Sequence, residues 1–92
     1  MKIHHDQGET KGRYWSDVPG GRVQLTYSRA SDQLWIIDHT EVPEELRGKG
    51  YGQMLVAQTV FEARINARKL MPLCPFANAQ FQRHPEWHDV LR

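Results

Sequence analysis

The sequence predicts an α/β (α+β) fold: a mostly antiparallel mixed sheet carrying one long helix, with short helices at the C-terminal end. Three observations lead there. Strand-type alternation broken by turn residues fills the first half, a helical pattern runs from Gly50 to about Arg68, and short proline-bounded segments follow. At 92 residues and 39% hydrophobic, the chain carries enough apolar surface for a single core. We read residues 1–92 as one domain, since chains of this size bury only about two-thirds of their unfolded surface.

Residues 1–10, MKIHHDQGET, are polar and read as loose or loosely paired. RYWSDV and RVQLTYSR flank Pro19-Gly20-Gly21, a hairpin signal in which proline and then glycine suit a type II turn. Val23, Leu25 and Tyr27 alternate with polar residues, as a half-buried strand requires. After the turn ASDQ, LWIIDHTEV (34–42) is apolar on both parities in its first half, which predicts an interior strand covered on both faces. In the helix, Met54, Ala57, Phe61 and Ile65 project as one apolar stripe, with Val56, Val60, Ala63 and Ala67 beside it. Gln58, Thr59, Glu62 and Asn66 fall on the opposite side. KLMPLCP reads as a short strand stopped by prolines, and FANAQFQRHPEWHDVL as one or two short helices, the last starting near Pro85.

Charge and cysteine content narrow the function classes. Twelve Lys and Arg against eleven Asp and Glu give a net charge of +1, which offers no bulk attraction to nucleic acid or to an anionic membrane. No apolar run approaches a membrane span or a signal peptide, so a cytoplasmic protein is expected. Cys74 is the only cysteine and has no intrachain disulfide partner, which suits a reducing compartment. A monomer or weak dimer is expected. Trp15, Trp35 and Trp87 read as packing residues, because no basic stripe interleaves them as a single-strand nucleic-acid platform requires. His84 and His88 are spaced to share a helix face, yet Pro85 makes His84 a cap and no third ligand is indicated, so no metal site is assigned.

One stretch stands out. ELRGKGYGQML (45–55) sets three glycines at alternate positions between Arg47 and the start of the apolar helix. A helix start presents unpaired N–H groups and partial positive charge, and glycine lets an anion approach without Cβ obstruction. Neither the Walker spacing nor the dinucleotide GxGxxG spacing is present. A tight turn with solvated Arg47 and Lys49 is the alternative reading.

EVPEELRGKGYGQMLV resembles the acetyl-CoA-binding segment of the GCN5-related N-acetyltransferases, whose signature Arg/Gln-x-x-Gly-x-Gly/Ala is matched by Arg47, Gly50 and Gly52. HTEVPEELRGKGYG, PLCPFA and RHPEW together resemble the minimal domains of that superfamily, in an order that spans residues 12–91. The resemblance implies a compact GNAT-like fold with a splayed central strand pair and acetyl-CoA, or free coenzyme A, as cosubstrate. It places the pyrophosphate on Arg47, Gly48, Lys49, Gly50, Tyr51 and Gly52, and the pantetheine arm beside a strand ending at Thr40 and Val42. The partner strand would be 69–73.

Within that frame His39 is the candidate general base, because an ordinary imidazole titrates near pH ~6.5. Glu41 shares its strand parity and could act through water unless a bulge changes its facing; a solvated carboxylate is the alternative. Cys74 could accept the acetyl group, protonate the departing thiolate or serve as a small buried hydrophobe. A structural role at a strand end is the alternative for His39. Larger relatives use a tyrosine acid after the second strand of the splay, whereas here Gln80 stands where minimal relatives carry tyrosine. Because Val18–Gly21 passes directly between strands, the acceptor side should be shallow and open, suiting a protein or peptide lysine or a small polyamine. The competing expectation is a non-catalytic or weakly active CoA-binding module.

Overall fold

The computed structural model describes all 92 residues. Five strands run in spatial and sequence order: β1 His4–Gln7, β2 Lys11–Val18, β3 Gly21–Ser31, β4 Leu34–Glu41 and β5 Lys69–Pro72. The first four are antiparallel, and β5 joins β4 in parallel after the crossover helix α1, Tyr51–Ile65. Helix α2, Pro75–Arg83, and a 3-10 segment, Pro85–Val90, follow β5. This is the compact α+β architecture, a mostly antiparallel mixed sheet with one long helix, that the sequence predicts.

The predicted hairpin is present, with Val18 paired to Gly21 across a Pro19-Gly20 turn. The polar start differs from expectation: residues 4–7 form a regular edge strand on β2. Aromatic stacking supplies what their composition hides. His4 stacks on Trp15 at 4.3 Å, and His5 stacks on Tyr14 at 4.0 Å with its Nε2 2.6 Å from the Tyr27 hydroxyl.

Strand β4 is interior, but burial alternates along it. Trp35 and Ile37 are buried while Leu34, Ile36 and Asp38 are half-buried. The expected double coverage therefore fails, because α1 covers one face and the other is sheltered only by neighbours such as Met71, paired to Ile36 on β5.

The helix keeps Val56, Val60 and Ala63 of one expected stripe inward but turns most of the other outward. Gly52, Leu55, Val56, Thr59, Val60 and Ala63 are buried, whereas Met54, Phe61 and Ile65 of the expected stripe are 43%, 56% and 65% exposed. Thr59 tolerates burial because its hydroxyl donates to the Leu55 carbonyl at 2.9 Å. Glu62, expected in solvent, accepts from the Tyr14 hydroxyl at 2.9 Å. Ala67 lies beyond the helix end, exposed and in a left-handed turn at φ 51°. The buried stripe packs on Tyr14, Val23, Leu25, Tyr27, Trp35, Ile37 and Leu70 of the sheet to form one core. Arg64 then ties the helix end to the C-terminal segment, its guanidinium donating to both Asp89 carboxylate oxygens at 2.7 Å.

The His5 contact predicts a pH dependence. Burial lowers the His5 pKa below 6.5, with nearby Glu62 opposing that effect. Below pH ~6.5 the unfolded chain therefore takes up a proton that folded His5 resists, so stability should fall as pH drops through that value. Unfolding by urea at pH 7.5 and 5.5 checks this, because His5→Phe should flatten the acid-side loss. Parallel losses in the two proteins would show that His5 is not the group responsible.

Candidate functional site

The glycine stretch enters α1 through an unusual start. Gly50 is the N-cap in left-handed conformation, φ 85°, and Gly48 is also left-handed at φ 81°. Only glycine takes such angles freely, and no side chain caps this helix. The N–H of Arg47 bonds the Glu44 carbonyl at 3.2 Å, and the next to find a backbone acceptor is that of Met54, on Gly50 at 3.1 Å. The six intervening N–H groups, Gly48 to Gln53, have no acceptor in the chain. A run of unpartnered donors at a helix start suits an anion.

This helix start opens into a cleft of about 630 Å³. Thr40 and Val42 line one side, Arg47, Gly48, Gly50, Tyr51 and Gly52 the helix start, and Phe76 and Gln80 the α2 side. Seven of the eight residues expected to hold a cofactor are thus together; Lys49 is exposed outside the lining. Arg47 donates from Nε to the Val42 carbonyl at 3.3 Å, which fastens the loop to the end of β4. Gly52 has a different reason for lacking a side chain: a Cβ there would lie 2.7 Å from Cζ of Phe76. It makes room for an aromatic wall of the cleft.

The cleft exists because β4 outruns its neighbour. Pairing with β5 ends at Ile37–Pro72, and the N–H groups of Leu73 and Cys74 both converge on the Ile37 carbonyl at 3.2 and 3.1 Å. Beyond it, residues 39–41 of β4 are paired to β3 only. Proline at position 72 removes a donor, and Pro75 then starts α2, which carries the chain away. The result is a splayed pair with the backbone edge of β4 exposed.

The candidate catalytic residues divide across β4. Thr40 pairs with Leu25 and faces the helix side, whereas His39 pairs with Thr26 and Glu41 with Gln24 on the opposite face. A bulge does occur, between Ile37 and His39 opposite Tyr27 and Thr26, but it precedes both and leaves them on one face. His39 and Glu41 line a second, open groove of about 890 Å³ with Asp38, Ser28 and Leu73. His39 is exposed and its ring has no hydrogen-bond partner in the chain.

Glu41 is held by a ladder that crosses the sheet. Gln24 donates to its Oε2 at 2.7 Å, and Arg13 donates to Gln24 Oε1 at 3.1 Å and to Asp6 at 3.1 Å. Arginine has no acceptor, so the Gln24 carbonyl must face it and the amide nitrogen must face Glu41. Hydrogen bonding from Arg13 leads the lowering of the Asp6 pKa, with Trp15 contributing, so the far end of the ladder stays ionised.

Cys74 is buried, 6% exposed, and its thiol donates to Thr40 Oγ1 across 3.6 Å, which places it behind the inner wall of the cleft. His84 and His88 have local partners instead of facing each other as ligands: His84 Nδ1 lies 3.0 Å from Glu86 and its ring stacks on Trp87, and His88 Nε2 lies 2.7 Å from the Phe81 carbonyl. Hydrogen bonding from His84 also leads the lowering of the Glu86 pKa. Sequence reasoning missed Phe76, Leu46 and Gln53 as cleft residues. For Phe76 the spacing to Gln80, one helical turn on, was the available signal.

Comparison with known proteins adds to this geometry. Residues 13–90 match the family described as GCN5-related N-acetyl-transferase. The solution structure of a GCN5-like protein from Staphylococcus aureus superposes with a TM-score of 0.72 at 31% identity, covering 97% of this chain and 87% of that one. No curated protein sequence matches.

Proposed function

The chain belongs to the GCN5-related N-acetyltransferases, and from that premise we propose that it transfers acetyl from acetyl-CoA to an amine acceptor. The observation that carries the reading is the run of six unpartnered N–H groups, Gly48 to Gln53, beside the unpaired end of β4. A diphosphate needs such donors, and an amide-bearing arm needs an open strand edge. The residues present fit the cosubstrate on both counts.

Bound there, acetyl-CoA would supply an acyl group activated as a thioester. Arg47 and the N–H groups of 48–52 hold the diphosphate, with Lys49 adding exposed charge at the rim. Thr40 and Val42 present backbone to the arm. On the other face of β4, His39 takes the acceptor's proton directly or through one water, and Glu41 is the second candidate base. The acceptor-side groove is open and has only two hydrophobic lining residues, Tyr27 and Leu73, unlike the enclosed apolar pockets that bind small metabolites. It suits an amine carried on a peptide or a small polyamine. Within the family, the short β2–β3 turn favours the minimal N-acetyltransferase domain-containing type.

Cys74, hydrogen-bonded to Thr40, forms part of the wall behind the thioester. Saturating CoA should slow its alkylation by a small thiol reagent, followed by intact-protein mass. Equal rates with and without CoA would place it outside the cleft.

One observation favours a second reading, a CoA-binding module with little turnover: α2 carries Gln80 where an acid would stand, and a carboxamide has no proton to give to a thiolate. Release of free CoA thiol from acetyl-CoA with a panel of amines distinguishes the two. Amine-dependent release supports the enzyme, whereas saturable binding without release supports the module.

A further inference from the structure

Gln80 is 5% exposed, yet its side chain makes no hydrogen bond to the protein. It lies on α2 one turn after Phe76, and both residues line the cleft between the helix start and Thr40. Its helical neighbours Ala77 and Phe81 are buried in the core. Its carboxamide atoms are not among the sealed, unpartnered polar atoms of the core; they open onto the cleft that the residue lines, where a partner can reach them. The missing partner therefore belongs in the cleft.

The chemistry of that partner follows from the side chain. A carboxamide is neutral and offers one acceptor oxygen and two donor hydrogens. It complements the C=O and N–H of another amide and adds no charge for a phosphate. The surrounding wall agrees: Phe76, Val42 and Leu46 give the cleft apolar lining beside Gln80. We propose that Gln80 is a cofactor-binding residue whose carboxamide pairs with an amide of the pantetheine arm. This rests on the acetyl-CoA reading above.

The test is to titrate the parent protein and Gln80→Leu with acetyl-CoA and with 3′,5′-ADP, the nucleotide end of CoA without its arm. Acetyl-CoA affinity should fall roughly tenfold in the variant while 3′,5′-ADP affinity stays within about twofold. Unchanged acetyl-CoA affinity overturns the assignment, and so does a parallel fall for both ligands, which would mark Gln80 as structural. If thermal unfolding shows that Gln80→Leu does not fold, Gln80→Glu keeps the shape but replaces the donor with charge, and the same split between the ligands is expected. A parent protein that binds 3′,5′-ADP and acetyl-CoA while the variant also binds both normally defeats the Gln80 assignment alone. A parent that binds neither defeats the cofactor reading and the assignment with it.

Discussion

His39→Ala should lower turnover by roughly 10²- to 10⁴-fold, the range for a positioned acid–base group, while leaving acetyl-CoA affinity unchanged. The split follows from where β4 puts its side chains. His39 pairs with Thr26 on the open face, and Thr40, on the other, lines the cofactor cleft. Because the His39 ring is exposed and unbonded within the chain, alanine there should cost little stability. A variant with full activity would move the base to Glu41 or to water. Equal losses of activity, binding and thermal stability would make His39 structural.

Gly50→Val should weaken CoA binding by roughly a hundredfold, the equivalent of losing two hydrogen bonds to a charged group. Gly50 sits at φ 85° with no protein atom within 4 Å of a Cβ built on it, so the new side chain would meet the ligand before it met the protein. Left-handed backbone strain should lower stability by about 1–2 kcal/mol. Gly50→Ala, with less bulk, should give a smaller affinity loss in the same direction. Gly52 is a poorer probe, because a side chain there strikes the Phe76 ring first. If the valine variant is folded and binds CoA normally, the glycine seat is not where the diphosphate rests.

The glycine loop and the strand-helix-strand order were legible in sequence because each has a local chemical cause: alternate glycines at a helix start, apolar periodicity, and prolines that stop a strand; the splay was implied only by the family resemblance. Three features were not. β1 is polar in sequence, and what holds it is stacking of His4 and His5 on Trp15 and Tyr14 of β2, a long-range contact that no local pattern reports. The buried face of α1 could not be chosen because apolar residues surround much of the helix; the sheet selects Leu55 and Thr59 over Phe61 and Ile65. The partition of His39 and Glu41 from Thr40 was implicit in strand alternation, but the ladder through Gln24, Arg13 and Asp6 depends on the registers of three strand pairs. Gln80 was visible as a departure from the family tyrosine, and only its unpartnered carboxamide opening onto the cleft gives that departure a chemical meaning.

The central claim is that the cosubstrate occupies the opening between β4 and α1. A titration of isotopically labelled protein with acetyl-CoA, followed by the backbone amide resonances, tests it most directly. The account predicts saturable shifts at Gly48–Gln53 and at Thr40–Val42, where unpartnered donors and the open strand edge lie, with little change at His4–Gln7 on the far edge of the sheet. Saturable binding that leaves the amides of Gly48–Gln53 unmoved, or no binding at all, would contradict it.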